Sequence, residues 1–251
     1  MGHLNQPPPK STAATSPPQP FLLRLDAAVS LHVHNLTKPF APRPLLRFLE
    51  LLADFRFFFP VSVALLLACP YSSPLRRHLF LPLALCSLLD LIFIALLKLI
   101  VRRSRPTYSH HGDYNAVVPV DHFSFPSGHS SRVFFVASIF SFSKLRMVDA
   151  IADLHHPRLF MIIDHWFGGE EVFAINAVVT AVWAWASATA LSRIALGRHY
   201  VLDVFFGACF GVLEALFTLR FLEIQTGMES IRKIEGPTRY MEALQACLVC
   251  E

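Results

Sequence analysis

The sequence predicts an all-α protein, a polytopic membrane helical bundle of five to six helices. Two observations carry that expectation. Of 251 residues, 54% are hydrophobic and 16% charged, whereas soluble domains carry about 25% charged residues. The mean hydropathy is +0.47, and the apolar residues gather into runs near the ~20 residues that a helix needs to cross a bilayer. The net charge of +4 is modest, and no long basic run marks a nucleic-acid partner. Among the cysteines, Cys69, Cys86 and Cys209 lie in apolar runs as small hydrophobes, and a single Cys247/Cys250 pair is weak ground for zinc.

Residues 1–20 are rich in Pro, Ser and Thr and read as a disordered tail. Gln6 stands where a myristoylation motif requires Ser or Thr, and the segment lacks the apolar core of a signal peptide. Residues 21–222 read as one membrane domain without internal repeats. It opens with an amphipathic helix over 21–36, where Leu22, Leu25, Val29, Val33 and Leu36 recur at helical spacing and suit a membrane interface. Spans are expected at 45–68, 79–101, 130–145, 172–191 and 200–222. Glu50, Asp54 and Arg56 burden the first. Asp90, near the middle of the second, is expected to pair with a polar group on another span. The stretch 146–171 reads as a loop with short helical pieces. Gly207 and Gly211, in the last span, have a spacing that allows close helix packing inside the chain. Residues 223–251 form a C-terminal tail. Trp166, Trp183 and Trp185 suit interface or packing roles.

Spans that alternate direction bring three polar islands to one face. They are Lys98–Pro106, Phe125–Arg132 and Ser192–Asp203. Charges beside membrane segments are costly, so they mark candidate sites. Lys98, Arg105 and Arg193 suit phosphate oxygens, guanidinium by its fork and lysine as a point charge. Gly128 lets backbone approach an anion, Ser127 can donate its hydroxyl, and a helix starting there turns its first N–H groups toward the anion. His199 and Asp203 are i and i+4 on one helical face, so the carboxylate can hold the imidazole in one tautomer and free the other nitrogen to attack. His129 can protonate a leaving oxygen. Nucleophile, orienter, acid and cationic cradle describe phosphoryl transfer through a phosphohistidine, with cations standing where magnesium stands elsewhere. No carboxylate cluster resembles a metal site. Arg102, Arg103 and Arg198 read as headgroup contacts or topology signals, His110, His111 and His122 as solvated loop residues, and Arg132 as an undecided neighbour.

At these residues the sequence resembles the type-2 phosphatidic acid phosphatase superfamily, whose pattern is K-x6-RP, then PSGH, then SR-x5-H-x3-D. Lys98 to Arg105-Pro106, Pro126–His129, and Ser192-Arg193 to His199 to Asp203 match each part. The surrounding context resembles the polyisoprenoid and presqualene diphosphate phosphatases and the plant beta-type lipid phosphate phosphatases. The resemblance implies a phosphatidic acid phosphatase type 2/haloperoxidase-like core, cofactor-free and metal-independent hydrolysis, and a lipid phosphate or diphosphate substrate. It implies His199 as nucleophile, Asp203 as its partner and His129 as acid, with Lys98, Arg105, Ser127, Gly128 and Arg193 as phosphate ligands. Family members often show six helices, against five spans and an interfacial helix here. A non-catalytic lipid-phosphate binder or transporter, and an oxidative enzyme using vanadate, are the alternatives on the same scaffold. Cations on the face opposite the islands favour a lumenal site, and Asn35–Thr37 is a potential glycan acceptor on the site side. The expected location is the endoplasmic reticulum membrane, with the plastid envelope as the alternative.

Overall fold

The computed structural model describes residues 20–108, 122–154 and 157–249. The tail 1–19, His110, His111 and Cys250 lie outside them. The described chain is helical: α1 (Phe21–Thr37), α2 (Arg43–Leu52), α3 (Phe55–Ala68), a π-helical turn (Arg76–Phe80) that runs into α4 (Leu81–Val101), α5 (Gly128–Phe142), α6 (Lys144–Leu154), α7 (Pro157–Phe167), α8 (Glu171–Ala195) and α9 (Val201–Val249).

The expected first span is not one straight helix. α2 and α3 meet at a bend of 47°. Asp54 causes the break by acting as the N-cap of α3, where its carboxylate accepts the Arg56 N–H at 2.9 Å. A carboxylate that satisfies a free amide at a helix start stabilises a new helix rather than continuing the old one. The stretch 146–171 does hold short helical pieces, α6 and α7. The C-terminal segment is not a separate tail, because α9 continues as one helix through Val249.

Among the described residues, three helices are long and apolar enough to cross a membrane: Arg76–Val101, Glu171–Ala195 and Val201–Met228. The bent pair α2–α3 makes a fourth if it counts as one span. This is fewer than the five spans expected, because α5 has 15 residues. At 1.5 Å per residue it reaches about 22 Å, short of the ~30 Å hydrocarbon core. α5 is instead the buried centre of the bundle. It packs most extensively on α9, then on α8, and also on α4. Val133, Phe135, Ala137 and Ile139 on it are fully buried, while Leu191, Leu213 and Phe217 on the flanking helices face outward. An apolar exterior around a partly polar interior is the arrangement a lipid solvent favours.

Two buried polar contacts, one of them an ion pair, tie the core. Arg132 on α5 donates to Asp90 Oδ2 at 2.7 Å and to the Ala53 carbonyl at 2.7 Å. Asp90 therefore pairs with another helix, and Arg132 satisfies the carbonyl that the α2–α3 break leaves open. On the other side of α5, Ser131 Oγ lies 3.4 Å from Glu214 Oε2 of α9.

Gly207 and Gly211 let α9 press onto α5. A Cβ on Gly207 would stand 2.5 Å from the Ser127 carbonyl oxygen, and one on Gly211 would collide with the Ser131 carbonyl. Without a hydrophobic driving force between helices in lipid, such close packing contributes much of the association. Gly211→Ala is expected to destabilise the bundle by about 1–3 kcal/mol, the range for overpacking a filled interface. A lowered thermal midpoint in detergent, with normal membrane insertion, would be the readout.

Candidate active site

The three polar islands converge at the end of the bundle where α4 finishes and α5 and α9 begin. α4 ends at Val101, and Arg102 adopts φ 49°, which turns the chain away from the helix axis. Ser104 and Phe123 pair in an isolated antiparallel bridge. The Ser124 N–H donates to the Arg103 carbonyl at 2.8 Å, and its hydroxyl to the Ser104 carbonyl at 3.0 Å. The second and third islands join where the Ser127 N–H donates to the Asp203 carbonyl at 3.0 Å. Arg105 Nη1 donates to the Arg198 carbonyl at 3.1 Å and joins the first island to the third.

The turn between α8 and α9 sets Arg193 and His199 side by side. The Arg198 and His199 N–H groups both donate to the Arg193 carbonyl, at 2.9 Å and 3.3 Å. This wraps the chain around the end of α8 and needs a left-handed residue just past it. Gly197 supplies it with φ +67°, and a Cβ there would also stand 3.1 Å from the Tyr108 ring.

His199 is 2% exposed. Its Nδ1 lies 2.7 Å from the Ser124 carbonyl oxygen. A carbonyl only accepts, so Nδ1 carries the proton and Nε2 keeps its lone pair. Burial first, and then the cations of Arg105, Arg193 and Lys98, hold this imidazole well below the ordinary histidine range. It is therefore neutral near pH 7.

Asp203 differs from its expected part. Its Oδ2 is 3.9 Å from His199 Nδ1, an electrostatic distance rather than a hydrogen bond. Asp203 Oδ1 instead accepts from Arg103 Nη1 at 2.7 Å, and Oδ2 accepts the Tyr200 N–H at 2.9 Å. The Ser124 carbonyl is thus the direct orienter of the ring, and Asp203 supplies charge beside it.

Lys98, at the last turn of α4, is 6% exposed, and Arg193 is fully buried. Lys98, Arg105 and Arg193 lie within electrostatic reach of both His129 and His199. Arg193 Nη1 is 2.9 Å from Glu50 Oε1 of α2. That ion pair occupies Nη1, while Nε and Nη2 of Arg193 are buried without a hydrogen-bond partner among the described residues, as is His129 Nε2 in the first turn of α5. Buried donors left in this state are expensive, and a tetrahedral oxyanion matches them. Ser127 caps α5, its Oγ accepting from the Ser130 N–H at 3.4 Å and the Ser130 hydroxyl at 3.0 Å. Its own hydroxyl proton stays available. Gly128 opens α5, and a Cβ on it would stand 3.3 Å from Ile94 Cγ2. Among the described residues no cluster of His, Cys, Asp and Glu is arranged to hold a metal ion.

Three participants were not legible in the sequence. The Ser124 contribution is a backbone carbonyl and leaves no side-chain signal. Glu50 had a signal, a carboxylate inside an apolar run, that pointed to a burden on the span rather than to the site. Arg103 reads as a headgroup contact, but it is mostly buried and paired with Asp26 and Asp203. Arg198 is likewise 6% exposed rather than turned to headgroups.

A membrane helical bundle whose helix ends gather buried cations around two imidazoles has the chemistry of phosphoryl-handling integral membrane proteins. The chain belongs to the PAP2 superfamily, which matches residues 79–226. It is 50% identical over 202 residues to the Arabidopsis thaliana protein named "Probable lipid phosphate phosphatase beta", covering 80% of this chain and 90% of that protein. Its fold is similar to the crystal structure of a transmembrane PAP2-type phosphatidylglycerolphosphate phosphatase from Bacillus subtilis. That likeness has a TM-score of 0.56 at 20% identity, over 80% of this chain and 86% of the other.

Gly197→Ala tests the turn. A left-handed conformation costs an alanine roughly 1–2 kcal/mol, and the added methyl meets Tyr108. The expected outcome is a modest loss of thermal stability with a much larger fall in turnover, because the strain is released by moving Arg193 and His199 apart. Unchanged kinetics would show that this turn does not set the spacing of the two residues.

Proposed function

We propose that this chain is an integral-membrane phosphatase that hydrolyses lipid phosphates or diphosphates through a phosphohistidine at His199, without a metal ion. The observation that carries the reading is the buried Arg193 guanidinium, whose Nε and Nη2 lack hydrogen-bond partners among the described residues, beside a neutral imidazole with a free Nε2 lone pair. Lys98, Arg105 and Arg193, with Ser127 and the Gly128 amide at the start of α5, hold the phosphoryl group. The similarity to a plant protein named as a lipid phosphate phosphatase supports a lipid substrate.

His199 Nε2 attacks phosphorus in line with the departing oxygen. The P–N bond forms as the P–O bond breaks. Burial and the surrounding cations hold His129 well below the ordinary histidine range, so it takes up a proton with the incoming phosphate charge and delivers it from Nε2 to the leaving oxygen. The three cations stabilise charge on the equatorial oxygens. Asp203 stabilises the positive charge that His199 gains. Water then attacks phosphorus, the P–N bond breaks, and the proton lost by water returns to His129. Phosphatidate, sphingoid phosphates and isoprenoid diphosphates all carry the required group. The cations Arg77, Arg146 and Arg220, at the bundle end remote from α5's first turn, support a lumenal site in the endoplasmic reticulum membrane.

His199→Ala is expected to cut phosphate release by on the order of a thousandfold or more, while vanadate, a phosphate mimic, still binds. Wild-type turnover is expected to survive EDTA. A release assay on purified protein with phosphatidate, sphingoid phosphate and isoprenoid diphosphates measures both and ranks the substrates. Phosphate binding without any release by the wild type would instead identify a binder, and strict metal dependence would contradict the cationic cradle.

A further inference from the structure

We infer that Asp26, on α1, is a positioning residue for the phosphoryl-transfer site and acts through Arg103. The inference rests on the reading of His199 as the nucleophile. α1 is inverted relative to a helix of a soluble protein. Phe21, Leu22 and Leu36 are exposed, and its buried residues are Asp26 and Ser30. In a lipid environment the apolar face meets lipid and the polar pair must meet protein.

The contacts are specific. Arg103 forks between two carboxylates on different helices: Nη2 donates to Asp26 Oδ2 at 2.6 Å, and Nη1 to Asp203 Oδ1 at 2.7 Å. Its guanidinium also lies 4.0 Å from the Tyr200 ring centroid. Asp26 Oδ1 accepts the Leu202 N–H at 3.0 Å, and Ser30 Oγ accepts the Val201 N–H at 2.9 Å. With Asp203 on the Tyr200 N–H, the first amides of α9 are capped by side chains, two of which come from α1. α1 therefore fixes the helix start that carries His199 and Asp203.

Charge gives Asp26 a second effect. Arg103 serves two carboxylates, so the group Asp26–Arg103–Asp203 keeps one net negative charge beside His199. That imidazole becomes cationic as its Nε2 bonds phosphorus. Without the Asp26 charge, Arg103 neutralises Asp203 alone, and the developing imidazolium loses its counter-charge. Asp26→Asn preserves the shape and the Leu202 N–H contact while removing the charge.

The test is a double-mutant cycle of Asp26→Asn and Arg103→Gln in the full chain, reading kcat, KM and calorimetric vanadate binding. Asp26→Asn is expected to lower kcat by on the order of tenfold to a hundredfold, the scale of a misplaced reacting group, with KM and vanadate binding near wild type. The double variant is expected to be no slower than Arg103→Gln alone, since partners in one path are not additive. Wild-type kcat in Asp26→Asn, losses that multiply in the double variant, or a parallel loss of vanadate binding would each overturn the inference. A His199→Ala variant that turns over like wild type would instead defeat the nucleophile reading and leave these outcomes distinguishable.

Discussion

A guanidinium buried at the edge of a bilayer, with two of its three nitrogens lacking hydrogen-bond partners among the described residues, is the constraint on which the rest of this structure depends. Desolvating an ion costs several kcal/mol even after relaxation. Arg193 has Glu50 nearby as a partial counter-ion. Lys98 and Arg105 add positive charge to the same end of the bundle, within electrostatic reach of both histidines. On the proposed reading, a phosphoryl group entering beside Arg193 supplies acceptors for its remaining N–H groups. Burial and the same cations keep His199 neutral, so on the proposed mechanism the field that would attract phosphate also preserves the lone pair that would attack it.

The scaffold holds this unfavourable arrangement by stiffening everything around it. α5 is too short to span, but helices surround it and its first turn lies at the site. Glycines on α9 bring the two helices to backbone contact, and the Ser127 N–H bonded to the Asp203 carbonyl locks their starts together. Arg132 bridges Asp90 and the Ala53 carbonyl deeper in the bundle. That contact connects the α2–α3 break, from which Glu50 reaches Arg193, to the helix that carries His129. Polar contacts lie inside and the apolar belt outside, so removing one buried partner exposes a charge to protein rather than to water.

Much of this was legible in the sequence, for identifiable reasons. The membrane bundle follows from composition, and the family from three ordered motifs, because spacing such as Ser192-Arg193 to His199 to Asp203 depends on side chains. The helix expected over 21–36 matches the bounds of α1 within a residue. What failed to read was mostly backbone chemistry or context. Asp54 looked like a charge inside a span and is a helix cap that breaks it. The span expected at 130–145 lacked the length to cross, yet its apolar character was real because protein surrounds it. Arg103 looked like one of several headgroup cations, and only the fold brings Asp26 and Asp203 to it. The Ser124 carbonyl that orients His199 has no residue signature, so i, i+4 spacing credited Asp203 with a hydrogen bond that the carbonyl makes instead.

The most direct test of the central claim is to trap the intermediate. Purified protein is quenched during turnover of a lipid substrate labelled in the phosphoryl group, and the labelled peptide is sequenced. The account predicts a label on His199 that is stable in alkali and lost in acid, as a phosphoramidate is. A label on a serine or on an acidic residue, or active turnover that never labels the protein, would contradict it.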